Sequence, residues 1–323
     1  MLKVNNNKIT KNETKDTRNT RLELNIKGPN INYTAINAIR QCIMSDVPIY
    51  AFTQYNFEIN TSVFNNNYIK GRIKNMPVWG IDNDINYHEN VKLIKPNTNE
   101  TIMENDDVEI KLDKNKTQNQ LTMYINYKNE TKENMTVTTH HAKFYYNDKN
   151  IPSPYSMRIP IVDLQPEQEF AFSAITTLGT EKEDAIYSPV SICGYKEITD
   201  NEYNLFLESR GQLTESRIVH VAIDNIIRRM NKILQLLKNT ETTKDNIDGL
   251  LNINNEDHTM GNLLTRGLQQ HSQVSFAGYK VIHPLDNKIQ INYKLKDKNN
   301  IYNIMQDVVD YYIMIYQTIK KGA

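Results

Sequence analysis

The segment from Asn255 to Ile291 limits the possible folds more than any other part of the chain. Asp257 stands where a helix N-cap is favoured, and behind it Met260, Leu263, Leu264, Gly267 and Leu268 recur at helical spacing. This predicts a helix with one apolar face. Val274, Phe276, Tyr279 and Val281 then mark an extended segment, which Gly278 is expected to interrupt as a turn or bulge. His283-Pro284 predicts a further turn. Ile289, Ile291, Tyr293 and Leu295 alternate strictly, the mark of a half-buried strand. A helix and two strands with short connections form an α+β layer, and its apolar helix face needs a second surface to pack against.

The rest of the chain offers one. Residues 1–19 are polar and aperiodic and are expected to form a loose tail. Leu22, Leu24 and Ile26 alternate as a strand that Gly28-Pro29 stops, and Ala35, Ile36, Ile39 and Ile43 place a helix near Thr34–Ser45. Tyr50, Phe52, Tyr55, Phe57 and Ile59 continue as strand. From 84 to 196 only period-2 segments occur, including Val91 and Leu93, then Val108, Ile110 and Leu112, then Leu121, Met123 and Ile125. This predicts a β-rich insert. A long amphipathic helix follows over Glu215–Lys238, with Ile218, Ile226, Met230, Ile233 and Leu237 down one side. Residues 240–248 read as a polar linker. A second long helix spans Ile301–Lys320 with Ile304, Val308, Tyr312, Ile315 and Ile319 aligned, each such helix being about 30 Å long.

Composition excludes several functions. In 323 residues, 38 Lys and Arg balance 38 Asp and Glu, so the basic excess of a phosphate-gripping protein is missing and any nucleic-acid contact is expected to be indirect. Two distant cysteines, Cys42 and Cys193, supply neither a disulfide framework nor a zinc set, and they suit a reducing compartment. No apolar run reaches the roughly 18 residues of a membrane span, and the N-terminus lacks the apolar core of a signal peptide. The Asn-x-Ser/Thr sites at Asn12, Asn32, Asn60 and Asn129 follow from an Asn-rich composition and are expected to be unmodified. No catalytic or phosphate-binding motif is present. His140 and His141 are adjacent on a predicted strand, which would point them to opposite faces and prevent joint metal ligation. Asp106-Asp107 and Glu181–Asp184 read as solvated turns, Gly261 and Gly278 as backbone devices, and His258 and His283 as packing residues.

Two sets of motifs resemble one family. EDHTMGNLL followed by FAGYKVIHPLDNKI resembles the eleventh subunit of eukaryotic RNA polymerase II and its archaeal relative, the small partner of the alpha-like pair in multisubunit RNA polymerases. NAIRQCIMSDVPIYAF and NTSVFNNNYIKGRIKNMPV resemble the large partner at Asn37-Ala38-Ile39-Arg40, Val47-Pro48, Asn60-Thr61-Ser62, Arg72 and Pro77. Gln41, Gly71 and Lys74 depart from that pattern. The insert of the large partner is matched at Gly179, Lys182, Glu183, Ala185, Ser188, Pro189 and Val190, and its return strand at Glu208, Ser209 and Gly211.

The resemblance implies an α+β protein of two alpha-like dimerisation units forming an intramolecular pseudo-dimer. The large-partner domain would comprise 20–83 plus 197–239, interrupted by the insert at 84–196, and the small-partner domain 249–323, with its first strands cropped before Leu250. Helix faces carrying Ile36, Ile39, Ile226, Ile233, Leu263, Leu264, Val308 and Ile315 would form the seam between the halves. The implied role is non-catalytic. It is an assembly scaffold of DNA-dependent RNA polymerase that docks the two largest subunits and small subunits like the tenth and twelfth, with no cofactor and no membrane. Docking would fall to Asn37, Arg40, Asn60, Ser62, Arg72, Pro77, Lys182, Ser188, Pro189, Glu256, Asp257, His258, Asn262, Tyr279 and His283, the arginines offering guanidinium forks. No bound metal or cluster is expected in the insert, which lacks the cysteines. One chain carrying both partners implies a large DNA virus and a cytoplasmic site of action, the viral factory and the virion. The competing reading is a self-dimerising β-rich interaction module unrelated to transcription.

Overall fold

A computed structural model describes residues 8–15, 20–29, 31–79, 120–238, 245–283 and 286–323. In chain order, strands β1 (Lys8–Lys15) and β2 (Thr20–Lys27) precede helix α1 (Tyr33–Ser45). Strand β3 (Ile49–Asn60) and helix α2 (Asn66–Lys74) follow, then β4 (Leu121–Lys128), β5 (Met135–Thr138), β6 (Lys143–Tyr146), β7 (Lys149–Ile151), β8 (Pro160–Leu164) and β9 (Glu169–Gly179). Strands β10 (Val190–Thr199) and β11 (Glu202–Ser209) lead into helix α3 (Glu215–Lys238). The chain closes with β12 (Asp245–Asn254), α4 (His258–Gln270), β13 (Val274–His283), β14 (Asp286–Asn300) and α5 (Ile301–Gly322).

These elements divide into two compact units, Met1–Val47 with Pro189–Ala323, and Pro48–Ser188. The first unit contains one motif twice. In its first half the order β2, α1, β10, β11, α3 builds a sheet in which β11 lies between β2 and β10, with β1 added outside β2. In its second half β12, α4, β13, β14, α5 build a sheet in which β14 lies between β12 and β13. Every pairing is antiparallel. The cause lies in the sequence periods. Leu22, Leu24 and Ile26, and likewise Ile289, Ile291, Tyr293 and Leu295, bury alternate residues on one sheet face, and the helices cover that face. Both short helices have 13 residues and a side-chain N-cap, Asn32 for α1 and Asp257 for α4. Across the two halves α1 packs on α4 and α3 on α5.

In the second unit β9 lies between β3 and β4 in a five-stranded antiparallel sheet ordered β3-β9-β4-β6-β7, and β5 pairs with β8. Phe52, Met123, Ile125, Phe144, Phe170 and Phe172 fill its core.

Several expectations change. Lys8–Lys15 is a strand, not a loose tail, because β1 adds to β2 through backbone hydrogen bonds and an edge strand needs no apolar alternation. The insert is bounded differently from 84–196. Strand β3 pairs along its length with β9 and so joins the second unit with α2, whereas β10 pairs with β11 and joins the first. The linker is shorter than 240–248, since β12 starts at Asp245 and supplies the strand thought missing before Leu250. Gly278 does not interrupt β13, whose register shifts fall between Val274 and Phe276 and between Val281 and His283. His140 and His141 lie on a 3-10 turn, where the His141 ring nitrogen accepts from the Thr138 amide at 3.0 Å. Val91, Leu93, Asp106-Asp107, Val108, Ile110 and Leu112 lie outside the described residues, as do Pro284 and the start of the expected tail.

Candidate pairing interface

The four helices of the first unit bring their apolar faces together. Ile36, Ile39, Ile226, Ile233, Leu263, Leu264, Val308 and Ile315 are all at most 1% exposed. Gly267 of α4 allows close approach to α5: a Cβ there would collide with Val308, and it would stand 2.8 Å from the Tyr312 ring. On the same side the Tyr316 hydroxyl donates to the Ala35 carbonyl of α1 at 3.3 Å, a bond from the second half to the first.

A charged cluster interrupts this apolar seam. Arg229 of α3 is 13% exposed and donates to Asp46 Oδ2 at 2.9 Å, just past the end of α1. Its other nitrogens reach Glu256 Oε2 at 2.5 and 3.1 Å and Asp257 Oδ1 at 3.1 Å, before α4. Asp46 and Glu256 are 9% and 7% exposed. The Cys42 thiol donates to Asp46 Oδ2 at 3.2 Å, and the Thr259 amide donates to Asp257 Oδ1 at 2.9 Å, so Asp257 both caps its helix and receives the guanidinium. Burial is the largest single effect and opposes the charge on Arg229, but Glu256 first, with Cys42 and Asp257, together outweigh it and hold its pKa above the ordinary guanidinium value. Asp46 and Arg229 belong to the first half, Glu256 and Asp257 to the second.

Sequence reading missed Arg229, although a signal was present. It lies three residues after Ile226 and four before Ile233, inside the apolar stripe of α3. A cation at such a position has to find carboxylates in the interior.

The expected docking residues fall into separate patches. Glu256 is engaged inside the chain by Arg229 and faces the other half, not an external surface. Beside it, exposed His258 lies with Nδ1 3.3 Å from the Tyr279 hydroxyl, and the Tyr279 ring packs over Gly261, where a Cβ would come within 2.6 Å. Asn262 is half-buried on the same helix and His283 is exposed at the end of β13. On α1, Asn37 Oδ1 accepts from Arg40 Nε at 3.1 Å, and Arg40 also reaches the Met44 sulfur at 3.2 Å. Burial pushes the Cys193 thiol of β10 up to about 12, and the Arg40 charge only partly counters it.

In the second unit Asn60 Oδ1 accepts from the Ser62 amide and hydroxyl at 3.1 and 2.6 Å, an Asx turn that leads into α2. Exposed Arg72 donates to the Pro160 carbonyl at 3.1 Å, and the Pro77 carbonyl accepts from Tyr155 at 2.8 Å. Arg72 and Pro77 line an open cavity of about 300 Å³ with Ile73, Met76 and Ile161. Lys182 is exposed and Ser188 half-buried, while Pro189 is buried where the first unit resumes. Among the described residues no group of three or more His, Cys, Asp or Glu could hold a metal ion.

The repeated sheet-and-helix motif and its helical seam have counterparts among known proteins. Residues 249–322 match the family described as the RNA polymerase Rpb3/Rpb11 dimerisation domain. A protein of Acanthamoeba polyphaga mimivirus that bears the name DNA-directed RNA polymerase subunit is 29% identical, over 95% of this chain and 91% of its own length. A Caenorhabditis elegans protein named as a subunit of RNA polymerases I and III is 35% identical over 20% of this chain and 45% of its own. The archaeal polymerase subunit Rpo11 of Aeropyrum pernix is 29% identical over 20% of this chain and 67% of its own. These similarities indicate a DNA-directed RNA polymerase subunit of the Rpb3/Rpb11-like, alpha-like kind, with a viral relative.

Proposed function

We propose that this chain is a non-catalytic assembly subunit of a DNA-dependent RNA polymerase, in which both members of an alpha-like pair are fused and together dock the two largest subunits. The observation that carries this reading is the repeated motif. A chain whose second half matches a dimerisation domain has, in its first half, the same strand order and helix sequence. Fusion makes pairing intramolecular, at an effective concentration of roughly millimolar for a short flexible linker. The docking surface would use exposed His258 with half-buried Tyr279, the half-buried pair Asn37 and Arg40, and exposed Arg72 with half-buried Pro77. Small subunits like the tenth and twelfth would complete the platform, and DNA would be reached only through the assembled enzyme. The similarity to a mimivirus protein supports a viral polymerase, which would act in the cytoplasmic factory and be packaged in the virion.

The test is purification of the tagged full chain from its native source, with identification of the bound chains and an assay of RNA synthesis. Two very large polymerase subunits should co-purify with activity. A protein recovered alone as a stable self-dimer would instead support an interaction module that shares only the fold.

A further inference from the structure

The repeat permits a residue-by-residue comparison of the two halves, and one position breaks it. Aligned on their first residues, Glu215 and Ile301, helices α3 and α5 bury the same positions: Ile218 with Ile304, Ala222 with Val308, Ile226 with Tyr312, Met230 with Tyr316, and Ile233 with Ile319. Helices α1 and α4 align on their caps, Asn32 with Asp257, and then Cys42 corresponds to Gly267 and Asp46 to His271. In this alignment Arg229 corresponds to Ile315, and the acidic pair Glu256-Asp257 corresponds to Ile31-Asn32. The charged clamp therefore occurs on one side of the pseudo-twofold only. On the other side the Tyr312 hydroxyl sits beside Asn32 and Thr34, and Tyr316 bonds to Ala35.

We infer that the Arg229–Glu256–Asp257 clamp is the determinant that makes each half choose its unlike partner. Two such similar halves could also pair like with like between two chains, and the apolar seam alone would not forbid it. If two first halves paired, each Arg229 would keep Asp46 but meet Ile31 and Asn32 where Glu256 and Asp257 now stand. If two second halves paired, each Glu256 would face Ile315 in place of a guanidinium. Either way a nearly buried charge loses its main counterion, and symmetry makes it happen twice. Removing one partner of a buried ion pair is strongly unfavourable, whereas replacing the whole pair by apolar groups is often neutral. The cluster thus discriminates between pairings more than it adds to the stability of the correct one. The inference concerns pairing inside the chain and holds whether or not other subunits dock on it.

The test uses full-length protein with a protease site introduced within residues 239–244, folded and cleaved, after which the two fragments are unfolded together in denaturant, refolded as a mixture and analysed by native mass spectrometry. The parent chain should yield the unlike pair. The triple variant Asp46→Asn, Arg229→Met, Glu256→Met removes the buried charges and leaves only Asp257, which is 36% exposed and still caps α4, and the ratio of like to unlike pairs should rise by at least about tenfold. Ile315→Arg gives the second half a guanidinium of its own and should raise like pairs of the second half specifically. It supplies an independent reading should the triple variant not fold. If either folded variant yields only unlike pairs, as the parent does, the clamp is not the determinant and the inference is overturned.

Discussion

Arg229 shows what a single residue can decide in this seam. Arg229→Met alone leaves Glu256 and Asp46 facing an apolar side chain, and the expected cost is about 3–5 kcal/mol in denaturant unfolding of the full chain. The glycines separate packing from propensity. Gly267→Ala forces a Cβ onto Val308 and Tyr312 and should destabilise by about 1–3 kcal/mol. Gly71→Ala, in the interior of α2 with nothing within 4 Å of its Cβ, should stabilise by about 0.5–1 kcal/mol. Thermal melts of the two variants should therefore shift in opposite directions. Gly267 was legible only as one more small residue on an apolar helix face. The contact that requires a glycine comes from α5, about forty positions along the chain, and helical periodicity says nothing about which helix lies opposite. Asp257 was legible as a cap because capping is local. Its second partner, Arg229, belongs to another element and was not.

At the scale of elements, the long helices and the alternating strands could be read because each carries its own period. Helix α3 covers the expected Glu215–Lys238. Strand β1 could not be read, since an edge strand is held by its backbone and its residues are free to be polar. The division between units was misplaced for a related reason: the partner of β3 is β9, more than a hundred residues away, and pairing leaves no mark in either strand's own sequence. The second unit also has a contact sensitive to pH. Lys74 Nζ lies 3.0 Å from Asp184 Oδ2, and the Asp184 carboxylate also caps the 3-10 turn at Ile186. Burial alone would raise the Asp184 pKa, but the Ile186 amide and Lys74 together bring it below the ordinary value. A depressed carboxyl pKa contributes stability above the unfolded value, about 3.9, and that contribution is lost as pH falls through the folded value. Asp184→Asn keeps a capping oxygen and loses the charge. Its unfolding free energy at pH 7 should lie below that of the parent by only about a few tenths of a kcal/mol, because both side chains are well solvated. The difference should shrink as pH falls below the unfolded value and vanish once the folded carboxyl is protonated.

For the whole molecule, the sequence made the two proposed halves visible because their motifs sit at turns and caps, where local chemistry restricts the residue. It left the proposed docking patches unranked, since which exposed side chain would meet a neighbour depends on surfaces that belong to other chains. The central claim is that two halves of one chain act as a paired platform. It is tested most directly by cleaving the full-length protein within residues 239–244 and passing it over a sizing column, alone and with the two largest polymerase subunits. The account predicts that the two fragments stay in one equimolar complex and that this complex still binds the large subunits. Separation of the fragments, with the large subunits bound to neither or to one alone, would contradict it.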